Sequence, residues 1–431
     1  MDRLPLRQRV KDFGRGVTYQ MAGLPIAVRA TFEQASAAPD AVIRRAYARR
    51  YWKPRTPTEL AQLALAILAS PFALVGLEAV FTARNGGEVA RRSHRPIHRQ
   101  LFDQLRLYFA AGVLPPWYYI FELHRHPGGG FARDFIYRWE SKGGVMRLLK
   151  EGPREPRSIL NDKVVFAQFC ERHRIRTAPV LAVADEGRVE LSAEAGKLDQ
   201  DLFVKPVCGR GGKGAERWDF ADGRYRNPAG EELSRDELFG RLEERSGSRP
   251  LLVQPRLRNH PALEALNNGA LSTVRVLTCL NELGEPELVG AAMRMAIGSN
   301  HVVDNLHSGG IASAVDIESG RLGRASNLGA DARLGWMDRH PSTGALITGF
   351  ELPMWDEVRE FAVRVHDAFA DRVIVGWDIA ITADGPVLVE GNGAPDLDIM
   401  QRFVRHGLMA ARLGALLAFH VSQTGLDSLP S

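Results

Sequence analysis

The 431-residue sequence predicts an α+β fold. Three observations lead there. Up to about residue 155 the apolar residues fall at helical spacing, interrupted by prolines. From about 156, short apolar strand-like runs alternate with helical stretches. Near the C-terminus, Val375 to Ile381 and Pro386 to Val389 flank a turn containing Asp384-Gly385, the pattern of a β-hairpin. Strands mixed with helices on their outer faces give the α+β class. Three units are expected: a basic region over 1–95 with an apolar segment, a helical lobe over 96–155, and a mixed domain over 156–425.

Residues 1–57 are basic and proline-broken, so several short helices are expected, notably Asp40 to Tyr51. Leu60 to Leu77 then runs eighteen residues without a charge, close to the length of a membrane span. Pro71 and Gly76 interrupt it. Arg49, Arg50, Lys53 and Arg55 precede it, and Arg84, Arg91 and Arg92 follow. A single span leaves one side poor in Lys and Arg. The alternatives are a buried helix pair, a re-entrant or interfacial hairpin, and a span, which the flanks disfavour. The expected topology is peripheral or re-entrant, with both ends on the cytosolic side. Leu107 to Phe121 is aromatic, and Pro115-Pro116 divides it into two helices. His124 and His126 flank Arg125, as a polar helix end or part of a metal site.

Beyond 156 a helix is expected from Asp162 to His173 and a strand from Ala178 to Val183. Strands follow at Phe203–Val207 and Ala215–Phe220. Ser234 with Glu237 is a capping-box signature for a helix to Glu244. Further strands are expected at Leu251–Gln254, Ser272–Leu280, Glu287–Ala296 and Ile311–Ile317. Trp355 to Phe369 places Val358, Phe361, Ala362, Val365 and Phe369 on one helical face. The hairpin comes next, and one helix over Met400–Phe419 closes the chain.

At 45% hydrophobic and 25% charged, the composition is that of a globular protein. The net charge is +5, and residues 1–60 hold twelve Lys/Arg against five Asp/Glu. The basic excess is therefore N-terminal, which suits an anionic membrane face or an acidic partner. No aromatic-interleaved basic stripe appears, so no nucleic-acid partner is expected. Cys170, Cys208 and Cys279 are scattered without a CxxC spacing, which supports neither a disulfide framework nor a zinc site. Residues 1–20 carry no apolar signal-peptide core. A cytoplasmic location at the inner face of the membrane is expected.

The hairpin carries chemistry. With a three-residue turn, Asp378 falls opposite Glu390, and Asn392 points to the same side as Glu390. Two acids and an amide oxygen are hard ligands of the kind Mg²⁺ takes, with phosphate and water completing the shell. Solvated acids on an exposed hairpin are the alternative. Lys205 ends the apolar run Leu202–Val204, either as a solvated strand end or beside a phosphate. Gly209, Gly211, Gly212 and Gly214 follow around Arg210 and Lys213. Such a loop folds its N–H groups over an anion. It lacks the Ser or Thr of a P-loop. Lys163 lies at a helix start capped by Asn161 or Asp162. Arg275 and Arg294 lie on apolar strands. Each needs an anionic partner, a substrate phosphate or carboxylate or an acid elsewhere in the fold.

Together these pieces resemble the ATP-grasp superfamily over roughly residues 156–400. The resemblance rests on Lys163 opening a helix, Lys205 on a strand, the glycine-rich loop, Leu251–Pro255 leading to an adenine hinge, and Asp378…Glu390-x-Asn392. More narrowly, the chain is similar to the sugar-transfer-associated ATP-grasp family, related to α-L-glutamate ligases. The segments Asn268–Val276, Asp304–Gly310, His340–Gly344 and Gly376–Asp378 carry that likeness. Pro255 stands where the family has a glutamate after the hinge glutamine.

The resemblance implies two α+β lobes holding ATP between their sheets. Lys163, Lys205, Gly209, Gly211, Gly212 and Gln254 would bind ATP. Asp378, Glu390 and Asn392 would hold one or two Mg²⁺. Arg275, Arg294 and Asn305 would act at the transferring phosphate, and His307, His340, Ser342 and Thr343 would contact substrate. The implied activity is an ATP-dependent carboxylate–amine (or thiol) ligase working through an acyl phosphate. Its partners would be small-molecule carboxylates and amines, sugar-linked ones included, in cell-surface polysaccharide or glycoconjugate assembly. The alternatives are a phosphotransferase acting on a hydroxyl and a membrane-apposed nucleotide-binding scaffold without turnover.

Overall fold

The computed structural model describes residues 6–34, 36–53, 56–126, 130–150, 158–192, 198–209 and 211–424. Arg210 lies outside them. Helices come first: α1 (Leu6–Phe32), α2 (Pro39–Tyr51), α3 (Pro57–Ser93), α4 (Ile97–Ala111) and α5 (Pro115–Ile120). A short α6 (Arg138–Glu140) continues through a π turn at Ser141–Val145 into α7 (Met146–Lys150). Helix α8 (Lys163–Arg172) starts at Asp162, whose carboxylate accepts from the N–H groups of Val164 and Val165 at 2.9 and 3.0 Å. That cap fixes Lys163 at the first helical position.

Strands β1 (Ala182–Asp185), β2 (Arg188–Leu191), β3 (Leu202–Pro206), β4 (Glu216–Ala221), β5 (Arg224–Arg226), β6 (Glu232–Leu233) and β7 (Leu251–Pro255) form one sheet. Its order is β2-β1-β7-β3-β4-β5-β6. Helix α9 (Arg235–Ser246) covers it with Leu238 and Leu242, and Ser234 and Glu237 form the expected capping box. Strands β8 (Thr273–Leu280), β9 (Pro286–Met295), β10 (Ile311–Val315), β11 (Leu322–Ser326), β12 (Ile374–Thr382) and β13 (Gly385–Asn392) make the second sheet. Its order is β11-β10-β9-β8-β12-β13, with antiparallel neighbours. Helix α10 (Trp355–Ala368) and α8 pack on it around Phe166, Phe169, Phe361, Phe369 and Trp377. Helices α11 (Leu397–Val404) and α12 (Arg412–Ser422) follow.

Four expectations are corrected. The expected helix from Asp40 to Tyr51 is α2, but the basic stretch before it is one 27-residue helix with Pro25 inside, not several short ones. The apolar segment is part of a single 37-residue helix that carries Pro71 within it, not a helix pair or hairpin. The terminal helix is two helices: Arg405 adopts φ 62°, and a Cβ on Gly407 would lie 2.0 Å from the Asp134 carbonyl oxygen, so a turn replaces the middle. The hairpin turn has two residues, with Thr382 paired to Gly385. A bulge between Asp378 and Ile379 restores the expected pairing of Asp378 with Glu390.

The helical layer is not separate at residue 95. One core joins Met21, Tyr47, Leu74, Tyr108 and Trp139. A second core joins α2 and residues 136–148 to β8, α11 and α12. Buried Arg44 pairs with Glu140 at 2.9 Å. Gln401 accepts from the Ile136 N–H at 2.8 Å and donates to its carbonyl at 2.8 Å. Gln401→Leu keeps the bulk but strands three buried backbone groups, because Gln401 Oε1 also accepts from the Leu408 N–H at 2.9 Å. A loss of about 2–4 kcal/mol is expected in urea unfolding.

Candidate active site

The two sheets face each other across a cavity of about 1010 Å³. Lys205 on β3, Gln254 on β7 and the glycine loop line one wall. Arg275 on β8, Arg294 on β9, Asp378 on β12 and Glu390 and Asn392 on β13 line the other, with Asp304 and Asn305 between. Sequence-distant pieces meet here because β8 is central and pairs with both β9 and β12.

On the first wall Lys163 Nζ donates to the Gly209 carbonyl at 3.1 Å. Burial and the neighbouring Lys163 charge push the Lys205 ammonium down to about 8, against the opposing pull of Glu390. An anion between the two lysines would remove that penalty. Gly211 and Gly212 take φ +74° and +67°. A Cβ at Gly212 would lie 2.8 Å from Val303, and one at Gly211 3.4 Å from Asn305 Nδ2, so the loop leans on the 303–305 segment. Gln254 is buried, and its Nε2 donates to the Ala178 carbonyl at 2.7 Å.

On the second wall, Asp378 and the two arginines hold one another. Arg275 Nε donates to Asp378 Oδ1, and Arg275 Nη2 to Oδ2 at 3.1 Å. Arg294 Nη2 lies 3.0 Å from the same Oδ2 and 3.3 Å from Asp304 Oδ1. Asp304 Oδ2 accepts from the Thr273 N–H and hydroxyl at 2.8 and 2.7 Å. Burial would raise the Asp378 carboxyl, but Arg275 and Arg294 outweigh it and hold it below the usual range. The arginines are therefore paired with an acid of the fold, and that acid is the expected metal ligand.

Among the described residues no group of three or more His, Cys, Asp and Glu could hold a metal. Glu390 and Asn392 nevertheless share one side of β13 and line the cavity. A carboxylate and an amide oxygen fit Mg²⁺, which takes few protein ligands when phosphates supply the rest. Asp378 fits only if it releases its arginines.

The proposed substrate residues fare differently. His340 is 1% exposed; its Nε2 donates to the Ala296 carbonyl at 3.1 Å, and its Nδ1 accepts from the Thr343 N–H at 3.2 Å. Ser342 Oγ accepts from the Gly298 N–H, and Thr343 Oγ1 donates to the Ala265 carbonyl. These three tie a loop together and none lines the cavity. The side chain of His307 lies outside the described ones; its neighbours Leu306 and Ser308 do line the cavity. His124, raised above as a metal ligand, is buried in the helical layer, and burial takes its imidazole down to about 4. Sequence reasoning missed Lys11, Arg15, Arg138 and Lys142, which line the cavity from the helical layer. Nothing in their local sequence marks them. It also missed Arg256, whose position next to the hinge was a usable signal.

Two antiparallel sheets facing each other across a cleft lined by lysines, glycines and a Glu-x-Asn strand define an ATP-grasp protein. The chain belongs to the sugar-transfer associated ATP-grasp family, whose pattern matches residues 149–414. No curated protein matches it significantly. Among solved structures it is similar to the D-alanine–D-alanine ligase of Bacillus anthracis, at 15% identity and TM-score 0.35 over 62% of this chain and 67% of that one. It is similar to D-alanyl-alanine synthetase A of Vibrio cholerae, at 12% and 0.38 over 62% and 66%. The L-amino acid ligase of Bacillus licheniformis matches at 11% and 0.36 over 60% and 48%. These likenesses are remote.

Lys205 generates a pH prediction. Below about pH 8 it is charged in the empty cleft; above, a polyanion must bring a proton with it. ATP affinity, measured by calorimetry, should fall as pH rises from 8 toward 10. Lys205→Arg does not titrate there and should flatten the profile. The empty protein should gain stability over the same window, because the unfolded lysine keeps its proton there while the folded one has lost it.

Proposed function

We propose that the chain is an ATP-dependent ligase that joins a carboxylate to an amine. The observation that carries this is the convergence of Lys163, Lys205, Glu390 and Asn392 on one cavity between two sheets. In the proposed reaction a substrate carboxylate oxygen attacks the γ-phosphorus of ATP, and ADP leaves. The amine then attacks the acyl carbon, phosphate leaves, and the amine proton goes to solvent. Phosphoryl transfer of this kind is mostly positioning and charge neutralisation.

Lys163 and Lys205 would neutralise the α- and β-phosphates. The Gly209–Gly214 loop would cover the β/γ end and exclude water. Glu390 and Asn392 would hold Mg²⁺, which would supply positive charge to the polyphosphate. Arg294, which lines the cavity, would supply donors to negative charge built during acyl transfer. Lys11, Arg15, Arg138 and Lys142 at the helical edge support an anionic, carboxylate-bearing substrate. The family description, sugar-transfer associated, supports a setting in polysaccharide or glycoconjugate assembly.

The test is ADP release screened over amino acids, uronic acids and amino sugars, with products weighed by mass spectrometry. ADP formation that needs both a carboxylate and an amine, with loss of water in the product, is expected. A phosphorylated hydroxyl product formed without amine would replace the ligase reading with a phosphotransferase. Glu390→Gln keeps the shape and removes the charge, so turnover should fall at least about 100-fold. Near-normal turnover in that variant would remove β13 from the metal site.

A further inference from the structure

Helices of globular proteins turn their apolar side inward. Helix α3 departs from this. Its buried side mixes Leu63, Ala66, Leu74 and Val89 with the polar Glu59, Ser70, Glu78, Thr82 and Asn85. Its outward row carries Leu65, Leu68, Phe72, Val75 and Val80, with Leu68 72% and Phe72 82% exposed. Only 28% of its most apolar stretch is buried, whereas a core helix would be mostly covered.

The inward polar row is held by partners at Glu59, Thr82 and Asn85, whereas the buried Glu78 Oε1 has none among the described residues. Arg50 donates to Glu59 at 3.0 Å. Gln104 and Tyr119 donate to the Thr82 hydroxyl at 2.9 and 3.1 Å. Asn85 accepts from the Ala332 N–H at 2.8 Å. Helix α4 repeats the arrangement: Gln100, Asp103 and Gln104 are buried, and Phe102, Leu105 and Phe109 face out. Gln100 Nε2 donates to the Gly86 carbonyl at 3.0 Å, which lays α4 along the second half of α3. The two outward rows therefore adjoin.

Charge frames this face. From Leu60 to Ala83 the exposed side of α3 has no charged residue, over about 36 Å at 1.5 Å per residue. Exposed Lys53 precedes it, and exposed Arg84, Arg91, Arg92 and Arg99 close the other end, where Arg84 pairs with Asp331 and Arg91 and Arg92 share Glu88. Acidic Glu59 and Glu78 are turned inward.

We infer that the α3–α4 face docks on a lipid bilayer bearing acidic headgroups, with the apolar rows in the acyl boundary and the end cations among the headgroups. The helix lies on the membrane and does not cross it. Its inward side is held at one end by Gln62 Nε2, which donates to the Phe13 carbonyl at 3.3 Å, and at the other by Asn85 and Ala332. Lys11 and Arg15, beside Phe13 on α1, line the cleft. The reaction cavity thus opens one helix away from the lipid.

The test is flotation of the full chain with vesicles of phosphatidylcholine alone and of phosphatidylcholine with about one third phosphatidylglycerol. Recovery with the anionic vesicles should exceed that with the neutral ones at least about threefold. Leu68→Glu with Phe72→Glu should lower it at least about tenfold with unchanged melting temperature. Lys53→Glu with Arg99→Glu should bring anionic binding down to the neutral level. A chain that stays unbound with both vesicles overturns the inference, as does a double-Glu variant that floats like the parent. A soluble dimer that the double-Glu variant splits, without vesicle binding, would assign the face to a second copy. Carbonate-resistant insertion, with residues 1–50 cleaved from the far side, would show a span instead.

Discussion

The Asp378 carboxylate, gripped by Arg275 and Arg294, is the interaction around which the cleft is arranged. It ties three adjacent strands, β9, β8 and β12, on the face that looks into the cavity. Asp304 and Thr273 extend the network to the 303–305 segment on which the glycine loop rests. A half-made network of this kind is costly: removing one partner from a buried ion group costs about 3–5 kcal/mol, because the other charge stays behind. The pair register that puts Asp378 beside Glu390 then fixes where the remaining acid and amide of β13 point.

The consequence is a division of charge inside the cleft. Asp378 is spent on the arginines, so Glu390 is left as the acid that can meet a cation. On the opposite wall, burial first and the Lys163 charge second push the Lys205 ammonium down. In the proposed function a magnesium–polyphosphate ligand would relieve both imbalances, its anionic part between the lysines and its cation at Glu390 and Asn392. The helical layer adds a second group of cations at the far edge. Arg138 and Lys142 are positioned there by their pairing with Asp398 and Asp396 and by the Gln401 contact with Ile136. That layer lies almost wholly outside the family match, yet it completes the cavity wall.

Much of this was legible in the chain. Strands β3, β4, β7, β8, β9, β10, β12 and β13 were placed within a few residues, because their apolar runs are bounded by glycine and polar turns; β5, β6 and β11 were not expected. Lys163, Lys205, Gly209, Gly211, Gly212, Glu390 and Asn392, singled out from motif order, all line the one cavity. The failures have physical causes. Pro71 and Pro25 were read as breaks, but a long helix held by its neighbours along its length tolerates an internal proline. His340, Ser342 and Thr343 looked like substrate ligands because local sequence does not show that a polar side chain is consumed by its own loop. Lys11 and Arg15 could not be found, since only tertiary packing brings α1 to the cleft. The apolar outward row of α3 was half visible as an uncharged run, but its polar inward row appears only once partners such as Gln104 and Tyr119 are in place.

The central claim is that one cleft between the two sheets holds magnesium and nucleotide through these residues. The most direct measurement is a structure of the full chain with Mg²⁺ and a non-hydrolysable ATP analogue. The account predicts the phosphates between Lys163 and Lys205 beneath the glycine loop, the metal on Glu390 and Asn392, and the adenine against β7 near Gln254. Nucleotide bound elsewhere, or a metal that contacts neither Glu390 nor Asn392, would contradict it.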